Sequence, residues 1–224
     1  AGCSMAQYPG SIVGIVPSRD AEYYVFASTH KSASNSASLT VHTPGNWGAA
    51  ALGGMPRTLN IAFASKLKAA AQKLAELAPA LPGWQVSVEV DHHGPSLAKP
   101  VLFVEIGSTE AEWKNPVAGE IAAKAILAAV QSREEFPVHV GFGGSHYAPK
   151  FTPRILKGSA AFGHIISGYS LERDGVDEEM VRQAMERNVE KIESAMIDWK
   201  GIKKEQKDAL VAILESLGAK WEKA

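Results

Sequence analysis

Residues 59–93 read LNIAFASKLKAAAQKLAELAPALPGWQVSVEVDHH, and two periodicities meet in that stretch. From residue 59 to 77, Phe63, Leu67, Ala70, Leu74 and Leu77 recur three and four positions apart, which predicts an amphipathic helix. From Gln85 onward the period drops to two. Val86, Val88 and Val90 fall on one face, and Ser87, Glu89, Asp91 and His93 on the other, the pattern of a half-buried strand. By that count His92 continues the apolar face and points away from His93, unless the Gly94-Pro95 pair turns the chain first.

A helix feeding a strand is the repeating unit of crossover folds, and the same alternation extends outward in both directions. Short β-rich runs lie at residues 12–16, 23–27, 101–106, 138–142 and 164–167, and a second helix is predicted over 117–131, with Ile121, Ile126 and Leu127. The expected fold class is α/β, a mostly parallel mixed sheet with helices on both faces. In such sheets ligands collect beyond the carboxyl ends of the strands. Between 177 and 200, Val181, Met185, Val189, Ile192, Met196 and Trp199 recur at helical spacing; Leu210, Ile213, Leu214 and Leu217 follow and stop at Gly218. These predict a helical C-terminal tail, hence one domain over 5–224 with its core at 10–170 and its closing helices at 177–217. Ala1-Gly2-Cys3-Ser4 ahead of Met5 has no signal-peptide layout and reads as a remnant outside the domain.

Composition narrows the function. The 224 residues are 46% hydrophobic and 21% charged, which excludes disorder as the main state. Lys and Arg number 23 against 24 Asp and Glu, so the net charge of -1 offers no global footprint for nucleic acid, and an RNA site must be a local basic patch. One cysteine excludes a disulfide scaffold and a cysteine-based zinc cluster. No apolar run approaches the ~18 residues of a membrane span. A soluble protein of a reducing, cytoplasmic compartment is expected.

Four polar clusters follow strand candidates. The first, Ser28-Thr29-His30-Lys31-Ser32, runs through a Ser/Ala/Asn loop into Val41-His42-Thr43-Pro44-Gly45-Asn46-Trp47, and offers an imidazole, a cation and hydroxyls for an anion or for proton transfer. A loop of this composition is equally what an inert solvated turn looks like. The second, Asp91-His92-His93, is good metal-ligand chemistry, imidazoles beside a carboxylate, although its spacing matches no zinc signature. In the third, Glu105 interrupts the apolar run 101–106, where a carboxylate is costly to bury without a cation, a metal or a proton. The fourth, Gly141-Phe142-Gly143-Gly144-Ser145-His146-Tyr147, lets backbone N–H groups approach a ligand; it is neither a phosphate loop nor a nucleophile elbow. Lys150, Arg154 and Lys157 follow, interleaved with Tyr147 and Phe151, a local surface for a phosphodiester backbone. His164 reads equally well as a core histidine.

With these clusters in order, the sequence resembles the archaeal and plant type of D-aminoacyl-tRNA deacylase. The resemblance rests on Thr29-His30-Lys31-Ser32, residues 41–47, Glu89 through Pro95, residues 103–108, residues 141–151 and Gly163-His164-Ile165, and spans roughly 10–170. It implies hydrolysis of the ester joining a D-amino acid to tRNA in translation quality control, a zinc ion, a monomer, and a phosphorylase/hydrolase-like fold similar to peptidyl-tRNA hydrolase. On that footing zinc falls to some of His92, His93, His146 and Glu105, and would activate a water molecule. Gly143 and Gly144 amides become the oxyanion donors. A metal-free alternative makes His146 or His30 a general base. Lys31, Lys150 and Arg154 are expected at the tRNA end, with Ser32, Asn46, Trp47 and Tyr147 as further substrate contacts. The competing readings are a peptidyl-tRNA hydrolase or other zinc hydrolase, and a tRNA-binding module without turnover.

Overall fold

The structure is a computed structural model that describes residues 3–8, 10–32 and 35–224. Ala1 and Gly2 of the expected remnant lie outside the described residues. Strands β1 (Tyr24–Lys31), β2 (Ser38–His42), β3 (Gly45–Asn46) and β4 (Thr58–Leu59) precede helix α1 (Ala64–Leu77). After β5 (Gln85–Val88) and β6 (Val101–Ser108) come α2 (Glu110–Trp113) and α3 (Pro116–Gln131). Next are β7 (Val138–Phe142), α4 (Thr152–Lys157), β8 (Ala161–Ile166), α5 (Gly168–Asp174) and α6 (Glu178–Glu186). The chain closes with β9 (Ile192–Ile197), α7 (Lys204–Ser216) and β10 (Trp221–Lys223).

The α/β class holds, but the strands divide between two four-stranded sheets, ordered β1-β6-β2-β5 and β10-β9-β7-β8, beside a small β3-β4 ribbon. Every pairing in the two large sheets is parallel except β2 with β6. The sheets meet where the chain leaving β5 reaches β8: Asp91 N donates to Ile165 O, and Thr43 Oγ1 donates to Gly163 O.

In the first sheet, period two separates chemistry cleanly. Leu39, Val41, Val88, Leu102 and Val104 pack against Leu67, Ala70, Ala71 and Leu74 of α1 and against Ile121, Ala122 and Ala125 of α3. Burying each of the larger side chains contributes roughly 1.5–3 kcal/mol. Local signals set these helices. Asn115 caps α3 by accepting from Val117 N and Ala118 N, with Pro116 at the first helical position. Glu190 accepts from Ala64 N and Ser65 N, closing the start of α1 from a distant loop. Lys68 on α1 is buried and donates to the carbonyls of Ile155, Gly158 and Ala160, so its ammonium holds the end of α4.

Three expectations are corrected. Residues 12–16 form one 3-10 turn, Ile12–Gly14, rather than a strand. The segment read as a loop after His30 contains β2, an interior strand of the first sheet. The tail is not wholly helical: α6 ends at Glu186, and Ile192, Met196 and their neighbours form β9, which pairs with β7 and carries β10. The strand is required because Ala195 and Ile197 are buried against the second core, a position that helical spacing alone does not distinguish. Helix α7 and the positive φ of Gly218 agree with the sequence. No helix among the described residues is long and apolar enough to cross a membrane.

Candidate active site

The other face of the first sheet is polar and buried. Register places Ser28 and Thr40 opposite Glu105, His30 opposite Gly107 and His42 opposite Phe103, so these side chains share one face. Glu89, whose N donates to Val41 O just past β5, joins them. Glu89 is 1% exposed, Glu105 2% and His42 0%. The loop after β7 brings His146 over this face, pinned by Val90 N donating to His146 O.

His92 and His93 converge rather than point apart. His93 adopts φ +45°, a left-handed conformation that costs a non-glycine residue about 1–2 kcal/mol, and this is the turn anticipated from Gly94-Pro95. It sets the two rings 4.3 Å apart and at 4.2 Å and 4.9 Å from His42. Each donates its outer nitrogen to the backbone: His92 Nδ1 to Val90 O at 2.8 Å and His93 Nδ1 to Gly94 O at 2.6 Å. A carbonyl only accepts, so each neutral ring turns an Nε2 lone pair toward the pit.

Electrostatics explain why these groups sit together. Burial would raise the Glu89 carboxyl, but the His146 hydrogen bond and the surrounding histidines more than offset it and hold Glu89 well below the usual carboxylate range. Glu105 follows the same pattern: burial raises it, His42 lowers it further, and the net shift is downward. His42 is lowered by burial and raised more by Glu105, 3.6 Å away, so its net shift is upward. Burial and the neighbouring His42 push His92 well below its ordinary value and His93 down to about 4. The pit therefore holds two ionised carboxylates and, at His92 and His93, neutral imidazoles.

A divalent cation fits this donor set. His92 Nε2, a lone pair, lies 3.4 Å from Glu89 Oε2, another acceptor, and only a proton or a metal relieves that contact. Among the described residues, both ring nitrogens of the buried His42 lack a hydrogen-bond partner, as does Glu89 Oε1. Ligating atoms of His42, His92 and His93 lie within 4.8 Å of one another, as do those of His30, Glu89 and His146 and those of His42, Glu89 and Glu105. Histidines that hold their outer N–H on a backbone carbonyl are already oriented as ligands.

Of the residues singled out in the sequence, His30, His92, His93, Glu105, His146 and Tyr147 meet here. His30 Nδ1 lies 3.3 Å from Glu89 Oε1 and 3.8 Å from Glu105 Oε2. Lys31 and Ser32 follow His30, and Lys150 and Arg154 follow His146; among the described residues none of these cations forms an ion pair, and Arg154 Nη1 donates to Lys150 O. The amides of Gly143 and Gly144 both have backbone partners. Gly143 N donates to Ile166 O at 2.7 Å and Gly144 N to Gly201 O at 3.4 Å, so both amides are spent on holding the turn. Asn46 and Trp47 lie apart from this cluster of contacts: Asn46 Nδ2 braces the carbonyls of Gly53 and Met55, while Trp47, 3% exposed, packs in the second core and donates Nε1 to Gly175 O. His164 is a core histidine, bonded to Asp91 and to Arg187 O.

Three participants were given no role from the sequence. His42 lay in a quoted motif, and the alternation of Ser38, Thr40 and His42 with Leu39 and Val41 was the available signal. Glu89 had been placed on the polar face of its strand. Tyr169 Oη, 3.3 Å from His146 Nδ1, comes from α5, and nothing local announces it.

Fold and pit together define an α/β protein with a buried imidazole–carboxylate centre. The chain belongs to the D-aminoacyl-tRNA deacylase family, whose profile matches residues 17–222. It is 43% identical over 201 residues to the D-aminoacyl-tRNA deacylase of Pyrococcus furiosus, covering 89% of this chain and 73% of the relative. It is 44% identical over 201 residues to that of Methanosarcina mazei, covering 88% and 66%. A crystal structure described as a conserved protein of unknown function superposes with a TM-score of 0.86 at 35% identity, over 92% of this chain and 72% of the other.

Proposed function

We propose that this chain hydrolyses the ester between a D-amino acid and the terminal ribose of tRNA, acting as a zinc-dependent cytoplasmic monomer. Family membership supports the reaction class, and one observation carries the chemistry: two ionised carboxylates and neutral, pre-oriented imidazoles share one buried face of a sheet. His42, His92 and His93, with Glu105 beside them, would hold the metal. When bound, zinc supplies a Lewis acid that polarises the ester carbonyl and makes water more acidic.

The protein's own groups handle the proton. His146 stands at the mouth of the pit, with 31% of its side chain exposed, and meets incoming water first. Its Nε2 lies 3.1 Å from Glu89 Oε2, so the ionised carboxylate stabilises the imidazolium formed when Nδ1 takes a proton from the attacking water. His30 is enclosed and keeps Glu89 in place from the other side. Lys31 and Lys150, exposed beside these two histidines, suit the phosphates of the tRNA end, with Arg154 one helical turn further on.

The test is deacylation of D-Tyr-tRNA beside L-Tyr-tRNA, with the chelated protein and after zinc is restored. The expected result is hydrolysis selective for the D ester, lost on chelation and regained with zinc. D-selective hydrolysis untouched by exhaustive chelation overturns the zinc assignment and leaves His146 as the base. Turnover of N-blocked esters without chiral preference, or tRNA binding without turnover, overturns the reaction.

A further inference from the structure

The hydroxyls of Tyr147 and Tyr169 play no part in the mechanism above, yet each meets one of the two histidines that flank Glu89. His30 faces Glu89 through Nδ1 at 3.3 Å and Tyr147 Oη through Nε2 at 3.0 Å. His146 faces Glu89 through Nε2 at 3.1 Å and Tyr169 Oη through Nδ1 at 3.3 Å. The five side chains form one chain of contacts, Tyr147–His30–Glu89–His146–Tyr169, across the polar face of the first sheet.

We propose that Tyr147 and Tyr169 are positioning residues that hold His30 and His146 in opposite tautomers on either side of Glu89. This rests on reading the pit as the hydrolytic site. An ionised carboxylate only accepts, so the ring nitrogen facing Glu89 carries the hydrogen, and the outer nitrogen of each neutral ring accepts from a phenol. His146 is held as its Nε2–H form by its hydrogen bond to Glu89, whereas His30 Nδ1, 3.3 Å from Glu89 Oε1 but not aligned as a hydrogen bond, keeps its hydrogen because two acceptors would repel there. The rings are also confined by packing. The two imidazoles lie 5.7 Å apart at 20°, and Tyr147 stands edge-on to both, at 5.8 Å and 72° from His30 and at 5.1 Å and 81° from His146.

The two ends differ. His30 is buried, so removing the Tyr147 hydroxyl leaves Nε2 without a partner, whereas Tyr169 is 42% exposed and water can replace its oxygen. The long Tyr169 contact is also the one that must yield when attacking water approaches His146 Nδ1. Tyr147 is thereby the stronger anchor, and Tyr169 the exchangeable one.

Phenylalanine keeps both aromatic rings and removes only the oxygens, so Tyr147→Phe and Tyr169→Phe are the variants to make. In 15N-resolved spectra of the histidine rings, Tyr147→Phe is expected to shift His30 and Tyr169→Phe to shift His146, each leaving the other ring in place. Zinc affinity, titrated with the metal alone against a chromophoric chelator, is expected to stay unchanged in both variants, because His42, His92, His93 and Glu105 are the groups assigned to the metal. For D-Tyr-tRNA, kcat should fall about tenfold or more in Tyr147→Phe while KM stays within about twofold. Ring signals unchanged in both variants overturn the proposal. If Tyr147→Phe fails to fold, Tyr169→Phe decides on the His146 signals alone. Absence of deacylation by the wild-type chain would remove the reaction assigned above, while the ring spectra would still decide whether the tyrosines set the tautomers.

Discussion

Glu89 and Asp91 sit two residues apart on the same extended segment, both are buried, and each faces histidine, yet their surroundings are opposites. Asp91 is fully partnered: Oδ1 accepts from Ile165 N at 2.8 Å and Oδ2 from His164 Nδ1 at 2.5 Å. His164 in turn donates Nε2 to Arg187 O at 2.9 Å. The network is closed and ties the end of the first sheet to β8 of the second. On the polar face that holds Glu89, by contrast, Oε1, both nitrogens of His42 and the hydroxyls of Ser38 and Thr40 are buried without hydrogen-bond partners among the described residues. Leaving a polar group so placed costs about 1–3 kcal/mol each, and a fold retains that cost where a ligand will supply the missing partner. Carboxylate–imidazole pairs thus separate into a closed clasp and a pit whose polar groups are left open.

The largest expected effects come from exchanging one oxygen for nitrogen in each half of this comparison. Glu89→Gln removes the carboxylate that stabilises charged His146, and should lower D-Tyr-tRNA turnover by about 10²–10⁴-fold while the melting temperature holds or rises. Asp91→Asn should do the reverse. It leaves His164 donating toward a weakened acceptor and should cost about 3 kcal/mol of unfolding free energy in urea, with turnover per folded molecule close to wild type. Equal loss of stability in the two variants would erase the distinction between clasp and pit.

How much of this the sequence discloses follows from the same contrast. Where burial and period agree, as in α3 and β7, the elements are legible almost to the residue, while α1 begins at Ala64, five residues after the start that its periodicity suggests. Strand β2 is not, because its alternate residues Ser38, Thr40 and His42 line the pit, and a strand that turns hydroxyls and imidazole inward has the composition of a loop. Function thus hid the strand. At Gly143 and Gly144 the sequence suggests free amides, and it does not show that their N–H groups meet Ile166 and Gly201, partners 23 and 57 residues away. Separation in sequence also concealed Tyr169, and hid the division into two sheets, since runs of apolar residues do not say which strand pairs with which.

Lys68 extends the clasp principle to a cation. Its three ammonium hydrogens reach three carbonyls at 2.7, 2.7 and 3.0 Å, and Phe136 lies under it with the ring centroid 4.9 Å away. Lys68→Met keeps the aliphatic stem but strands those carbonyls, and is expected to cost on the order of 3 kcal/mol. Because the loss falls on α4 and not on the pit, zinc affinity of the folded fraction should not change. A variant as stable as wild type would show that buried, fully partnered ions here contribute nothing to stability.

His139 tests the comparison at its midpoint, being partnered at one nitrogen only. Its Nδ1 lies 2.9 Å from Ser194 Oγ, which donates onward to Glu222 at 3.3 Å. Burial lowers the imidazole below its ordinary 6.5, although Glu193 and Glu222 pull weakly the other way. The unfolded chain therefore takes up a proton near pH 6.5 that the native ring declines until the solution is more acidic. Within that window the unfolded state binds more protons, so stability falls as pH drops below about 6.5 and levels off once the native ring is protonated too. His139→Gln keeps a hydrogen-bonding group near Ser194 and removes the titration. Urea midpoints measured from pH 8 to pH 5 should run parallel for the two proteins above pH 7 and converge below it, because every other buried histidine contributes equally to both and cancels in the difference. Midpoints that keep a constant separation down to pH 5 would mean that His139 accepts its proton in the fold as readily as in water, and that partial satisfaction costs this histidine nothing.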